Sequence, residues 1–167
     1  LRSTTALALI ASNVMAGEWG YAEAGADWGT IAGFEVAELE QVVSIDLTEA
    51  GAKKGEDMEV NGYSYQNYES LPTVNNGHTV VVNDIYQGTL ELNFHTGAQE
   101  NFNPRQFHLH APSEHTVNGE HYAMELHMVH NYAGDYNTFG AVIGVFFELN
   151  ESAADIPLLK AMNVESI

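Results

Sequence analysis

The chain has 167 residues, with 23 acidic side chains against five basic ones and no cysteine. Its length suits one domain with a core of its own, and so acidic a surface repels nucleic acid and anionic lipid, which excludes both as main partners. The absence of cysteine rules out thiolate zinc sites, disulfide staples and cysteine nucleophiles together. The acidity itself fits an extracellular protein of a saline habitat, kept hydrated by surface carboxylates.

Arg2 precedes the apolar run Ala6 to Ala11, and Val14-Met15-Ala16 leads to Gly17. One positive charge, a short apolar stretch and small residues before the junction read as a secretory signal peptide over residues 1–16, too short to span a bilayer. The first residue is Leu, so the signal is expected to be clipped at its start. The mature domain is expected to cover 17–167, in the periplasm or outside the cell, with no membrane association after cleavage. Glu18 to Gly29 is aromatic and glycine-punctuated, which suits an irregular segment pinned by Trp19, Tyr21 and Trp28. Strand-like runs follow at Val42–Leu47, Tyr63–Tyr68, His78–Val82, Thr89–Phe94, Gln106–His110, His121–His130 and Gly140–Glu148. Turn residues stand at Asn61-Gly62, Asn75-Asn76-Gly77, Gln87-Gly88 and Asn118-Gly119. Only Ser152 to Met162 reads as helical. The class is mainly β, mostly antiparallel, with few short helices.

The stretch Gln106 to His130, QFHLHAPSEHTVNGEHYAMELHMVH, holds six of the eight histidines. His108 and His110 are two apart in a strand-like run and so point the same way. Asn118-Gly119 is a strong hairpin signal; a two-residue turn without a bulge would set His127 opposite His110. Three imidazoles then converge on one face. Three neutral histidines with an open fourth position form the ligand set of a catalytic zinc site, where bound water loses its proton at about pH 7. Zn2+ suits imidazole better than Mg2+ or Ca2+, which take oxygen ligands. Gln106 and Glu125 each lie two residues before a ligand, on the same face, placed to accept a ring N–H. His115, His121 and His130 are left to structural hydrogen bonds or solvent.

This stretch resembles the zinc-binding signature of the α-class carbonic anhydrases, of the bacterial, secreted type. The likeness continues in EWGY (Glu18 to Tyr21), NNGHTV (Asn75 to Val80) and FGAVIGVFFEL (Phe139 to Leu149). It implies a central, mostly antiparallel twisted sheet, with His108, His110 and His127 as zinc ligands oriented by Gln106 and Glu125. It further implies that Glu114 accepts from a gatekeeping threonine that orients a zinc-bound hydroxide, and that His78 is the proton shuttle, with Asn76 and Tyr21 holding its water chain. Val129 and Val142 match walls of the carbon dioxide pocket. The implied activity is reversible hydration of CO2 to bicarbonate and a proton.

Several features depart from the family pattern. VVSIDL (Val42 to Leu47) stands where a polar QSPI-type segment is usual, Val81 replaces a polar cavity residue, and Ala37 takes the place of a cysteine. The chain stops at Ile167, before the family's carboxy-terminal third with its gatekeeping threonine, so the resemblance implies a fragment that is poorly stable and at best weakly active. Two alternatives remain open: a zinc-binding but catalytically impaired relative, and a cupin-type metalloprotein in which HLHAPSE supplies Glu114 as a ligand in place of His127.

Overall fold

A computed structural model describes residues 45–48, 58–77, 79–94, 96–135, 137–150, 152 and 154–163, together with the backbone of 3–8. The strands, in chain order, are β1 (Ser3–Ala8), β2 (Asp46–Leu47), β3 (Met58–Tyr65), β4 (Thr73–Asn75), β5 (Val80–Asn83), β6 (Gly88–Phe94), β7 (Gln99–His110), β8 (Thr116–Val117), β9 (Glu120–His121), β10 (Met124–Tyr132) and β11 (Phe139–Phe147). Among the described residues one helix, α1 (Pro157–Met162), follows. Among the described residues no helix is long and apolar enough to cross a membrane.

An eight-stranded antiparallel sheet runs β1-β11-β10-β7-β5-β4, with β6 also paired to β7 and β3 to β6. The long β7 organises it. One edge meets β10, while the other meets β6 over its first half and β5 over its second. Alternation in β7 explains why it can serve two purposes: Phe107 and Leu109 point into the core, and Gln106, His108 and His110 to the other face. In β11 the run from Ala141 to Phe147 is apolar on both faces, as a strand with neighbours on both edges and few exposed residues requires.

The core face carries two joined clusters. Val82, Phe107, Leu109, Leu126 and Phe147 pack with Ala161 and Met162 of the helix, while Leu90, Leu92, Phe102, Ala141 and Ile143 form the second group. Met128 and Val145 touch both. Each buried large side chain stabilises the fold by roughly 1.5–3 kcal/mol relative to exposure. Pro157 opens the helix, Asn163 closes it at φ 51°, and Leu71 N–H donates to Ala161 O at 2.9 Å, tying helix to sheet.

Several elements differ from the sequence expectation. Asn61-Gly62 is a bulge inside β3, because the register against β6 shifts between Val60 and Gly62; no turn forms there. The strand expected at Tyr63–Tyr68 therefore begins earlier and ends at Tyr65. β7 reaches back to Gln99 through Pro104, which lacks an N–H and sits opposite His130 where β7 bulges at Arg105. The helix keeps only the last six residues of the expected segment. Within the described part of Val42–Leu47, Asp46 and Leu47 are strand; Val42 to Ser44, Glu18 to Gly29 and Ala37 lie outside the described residues. Ser3–Ala8, read from the sequence as part of a signal peptide, pairs with Val142 to Phe147 of β11.

Candidate metal centre

On the face opposite the core, strands β5, β7, β10 and β11 align their side chains in rows. One row runs Val81, His108, His127, Gly144; the next runs Asn83, Gln106, Val129, Val142; and on the other side His110 faces Glu125, which faces Phe146. The cross-strand partner of His127 is thus His108. The sequence expectation of His110 was offset by two residues, and the cause is local. Asn118 and Gly119 do form a tight turn, at φ 53° and 80°, but it joins only the two-residue strands β8 and β9. The segments 111–115 and 122–123 between that tip and the long strands reset the register. A shift of two residues leaves the faces unchanged, so the imidazoles still converge.

The ring centroids of His108, His110 and His127 lie 4.5–5.2 Å apart, and one nitrogen from each falls within 4.8 Å of the others. Their hydrogen bonds decide which nitrogen is free. His108 Nδ1 donates to Gln106 Oε1 at 2.9 Å, leaving Nε2 for a ligand; His127 Nε2 donates to Glu125 Oε1 at 2.9 Å, leaving Nδ1. Burial, with the neighbouring imidazoles adding to it, pushes His108 and His110 down to about 3, so both are neutral at physiological pH. Neutral, pre-oriented imidazoles with inward nitrogens are what a borderline-soft divalent metal takes. These residues fit zinc.

Glu125 anchors the arrangement. It is 2% exposed and accepts from His115 Nδ1 at 2.8 Å, His115 backbone N–H at 2.9 Å and His127 Nε2. Burial works against its charge, but these donors outweigh it and hold the carboxyl well below the usual range. The same pair raises His115: burial opposes its charge, and the carboxylates of Glu125 and Glu114 overcome that. His115 takes the structural role the sequence left open to it, although no spacing rule pointed to Glu125 as its partner. Ser113, missed in the sequence, is a buried hub; its hydroxyl donates to His115 O at 2.6 Å and accepts from Tyr122 N–H at 2.9 Å.

Of the remaining site candidates, Glu114 Oε2 lies 3.7 Å from His110 Nε2 and 3.6 Å from His127 Nδ1. Burial raises its carboxyl above the usual value. Val129, buried, and Val142, half-buried, face each other across β10 and β11 in the row next to the histidines. Val81 is buried beside His108. Asn76 is exposed in the β4–β5 turn and accepts from Thr79 N–H at 2.8 Å. His78 and Tyr21 lie outside the described residues. His130 is fully buried and hydrogen-bonds the Tyr65 hydroxyl at 2.9 Å, while His121 Nδ1 donates to Ser113 O at 2.7 Å.

Fold and site together define a β-sheet protein whose three-histidine cluster can hold a metal ion. The profile of the eukaryotic-type carbonic anhydrases matches residues 27–163, and the chain belongs to that family. It is 32% identical over 164 residues to mouse carbonic anhydrase 3, the match covering 87% of the chain and 61% of that protein. Over 78 residues it is 42% identical to a carbonic anhydrase of Klebsiella pneumoniae, covering 47% of the chain and 29% of that protein. Among solved structures it resembles the Thermovibrio ammonificans α-carbonic anhydrase in complex with the inhibitor sulfanilamide, at a TM-score of 0.53 and 30% identity, covering 83% of this chain and 57% of that one. The chain thus spans about three fifths of the length of mouse carbonic anhydrase 3.

Proposed function

We propose that the chain carries the zinc-dependent reversible hydration of carbon dioxide to bicarbonate and a proton. The observation that supports this best is the hydrogen-bonded orientation of His108 and His127, which turns one free nitrogen of each inward beside His110. Zinc held by His108, His110 and His127 would supply hydroxide at neutral pH by acidifying a bound water. Gln106 and Glu125 keep the two rings in the ligating tautomer. The Val129–Val142 pair offers an apolar wall on which an uncharged substrate rests beside the metal face. His78 is assigned the relay of the product proton to buffer, since an imidazole titrates near neutrality, with Asn76 and Tyr21 ordering the water between. Support for His78 and Tyr21 comes from the sequence motif alone.

Stopped-flow hydration of CO2 by this chain, with and without zinc, tests the reading. Zinc-dependent turnover lost in His108→Ala and blocked by sulfanilamide is the expected result. Turnover that survives chelation would sink it.

The site of action we propose is the periplasm or cell exterior, supported by the signal-like composition of residues 1–16. Mass analysis of the exported protein checks this; a form that keeps residues 1–16 would count against it.

A further inference from the structure

Where β5 ends beside β7, two departures from regular backbone serve one side chain. Between the pairs Val129–Gln106 and His130–Pro104, β7 carries one residue more than β10, and that residue is Arg105. In an unbroken strand residues 104 and 106 would share a face. Here Gln106 lies on the metal-bearing face, bonded to His108, while Pro104 lies opposite His130, which bonds Tyr65 on the core side. The inserted residue thus leaves Arg105 beside Gln106, at the edge of the histidine cluster. The second departure is Asp84, a non-glycine residue in the left-handed region at φ 61°. It opens a turn whose Ile85 N–H donates to Arg105 O at 3.3 Å. This turn clasps the guanidinium. Arg105 Nη1 donates to Asp84 Oδ1, the Tyr86 hydroxyl donates to the same oxygen at 2.8 Å, and the guanidinium carbon lies 5.1 Å from the Tyr86 ring centroid.

We infer that Arg105 docks bicarbonate, the anionic reactant of the proposed reaction, at the edge of the metal-bearing face. The inference rests on the reading of His108, His110 and His127 as a zinc centre that interconverts CO2 and bicarbonate. Charge supports it first. With 23 acidic residues against five basic ones, the chain repels an anion over most of its surface. Among the described residues the Lys and Arg side chains are Arg105 and Lys160, and Lys160 belongs to the helix packed on the core face. Shape supports it next. Asp84 occupies one guanidinium nitrogen, and the planar fork that remains matches a planar oxyanion, to which it can donate two parallel hydrogen bonds. Bicarbonate is such an oxyanion, whereas CO2 is linear and uncharged.

The two reactants would then have adjacent but different footholds. Val129, which offers CO2 an apolar wall, stands opposite Gln106, the residue that follows Arg105. The Tyr86 ring and the Asp84 carboxylate hold the guanidinium in place before the anion arrives, so little side-chain freedom is lost on docking. Asp84 also offsets part of the attraction, and a docked anion can leave again. Strained backbone at Asp84 and an inserted residue at Arg105 are the kind of local cost that a fold carries where a side chain must be aimed.

Bicarbonate titration of the zinc-loaded whole chain, followed through the side-chain Nε–H resonance of Arg105, tests this. The chain has two arginines, Arg2 and Arg105, so the resonance is identified by its loss in Arg105→Gln. The expected result is a saturable shift that chloride at equal ionic strength does not reproduce. Asp84→Asn keeps the acceptor oxygen and tolerates φ 61°, but removes the competing charge; it is expected to lower the half-saturating bicarbonate concentration about two- to fivefold. No saturable shift in a chain that hydrates CO2, an equal shift with chloride, or weaker docking in Asp84→Asn overturns the inference and leaves the zinc centre standing. A zinc-loaded chain that does not hydrate CO2 overturns the reading of the centre and the inference with it. The titration of the unsubstituted chain needs no variant to fold.

Discussion

The β8–β9 tip and the β7–β10 ladder lie on one stretch of chain, yet their pairing is set in different ways. At the tip, Asn118 and Gly119 impose a two-residue turn, and Thr116–His121 and Val117–Glu120 pair as turn chemistry dictates. In the ladder His108 faces His127 because Phe107, Leu109, Leu126 and Met128 must share the core and Gln106 and Glu125 must reach their imidazoles. Two residues of strand bury too little to carry their register outward through an irregular segment. A hairpin turn therefore specifies its own tip, and the buried face specifies the site.

The largest test of this division is the removal of one histidine of the cluster. His127→Ala is expected to lower zinc affinity by more than about 100-fold, read by competition with a chromophoric chelator. Gly119→Val, at the tip, should leave affinity within about twofold. If Gly119→Val weakened zinc binding as strongly, the turn would be setting the ladder after all.

Next in size is Glu125→Ala, which strips a buried carboxylate from three donors and leaves His115 and His127 unpaired. We expect a loss of about 3–5 kcal/mol in urea unfolding of the metal-free chain. A cost below about 1 kcal/mol would show that the ladder does not depend on this network.

Acid titration comes third. Burial holds His130 down at about 4 against an ordinary 6.5. Below pH 6.5 the unfolded chain takes up a proton that the folded chain refuses, so stability is complete above that pH and falls progressively towards pH 4. The shift amounts to a loss on the order of 3 kcal/mol. His130→Gln should flatten the slope of unfolding free energy in this window, at some cost at neutral pH from the lost Tyr65 hydrogen bond. An unchanged slope would assign the acid sensitivity to other groups.

The smallest effect belongs to the tip. Gly119 sits at φ 80°, where a β-branched side chain is strained, so Gly119→Val should cost about 1–3 kcal/mol by thermal unfolding.

Much of the site could be read in the sequence because strand geometry has a period of two. His108 and His110, spaced by Leu109, had to share a face, and Gln106 and Glu125 stood one period before a histidine of the cluster. The exact partner of His127 could not be read, since segments 111–115 and 122–123 carry no pattern that counts residues. The bulge at Asn61-Gly62 escaped for a similar reason: the same dipeptide serves a turn or a bulge, and only the pairing of Met58–Tyr65 with β6 decides. β4 escaped because three residues are too few to show alternation.

By itself, then, the sequence determined the strand-rich class, the parity that turns three imidazoles to one face, and the family to which they point. Tertiary packing decided the rest. It placed His108 opposite His127, gave His115 and His127 a common buried carboxylate in Glu125, and brought Glu114 Oε2 to 3.6 Å from His127 Nδ1. The physical reason is range: alternation along a strand is local and is written in adjacent residues, whereas register and loop placement follow from which surfaces residues far apart in the chain must bury together.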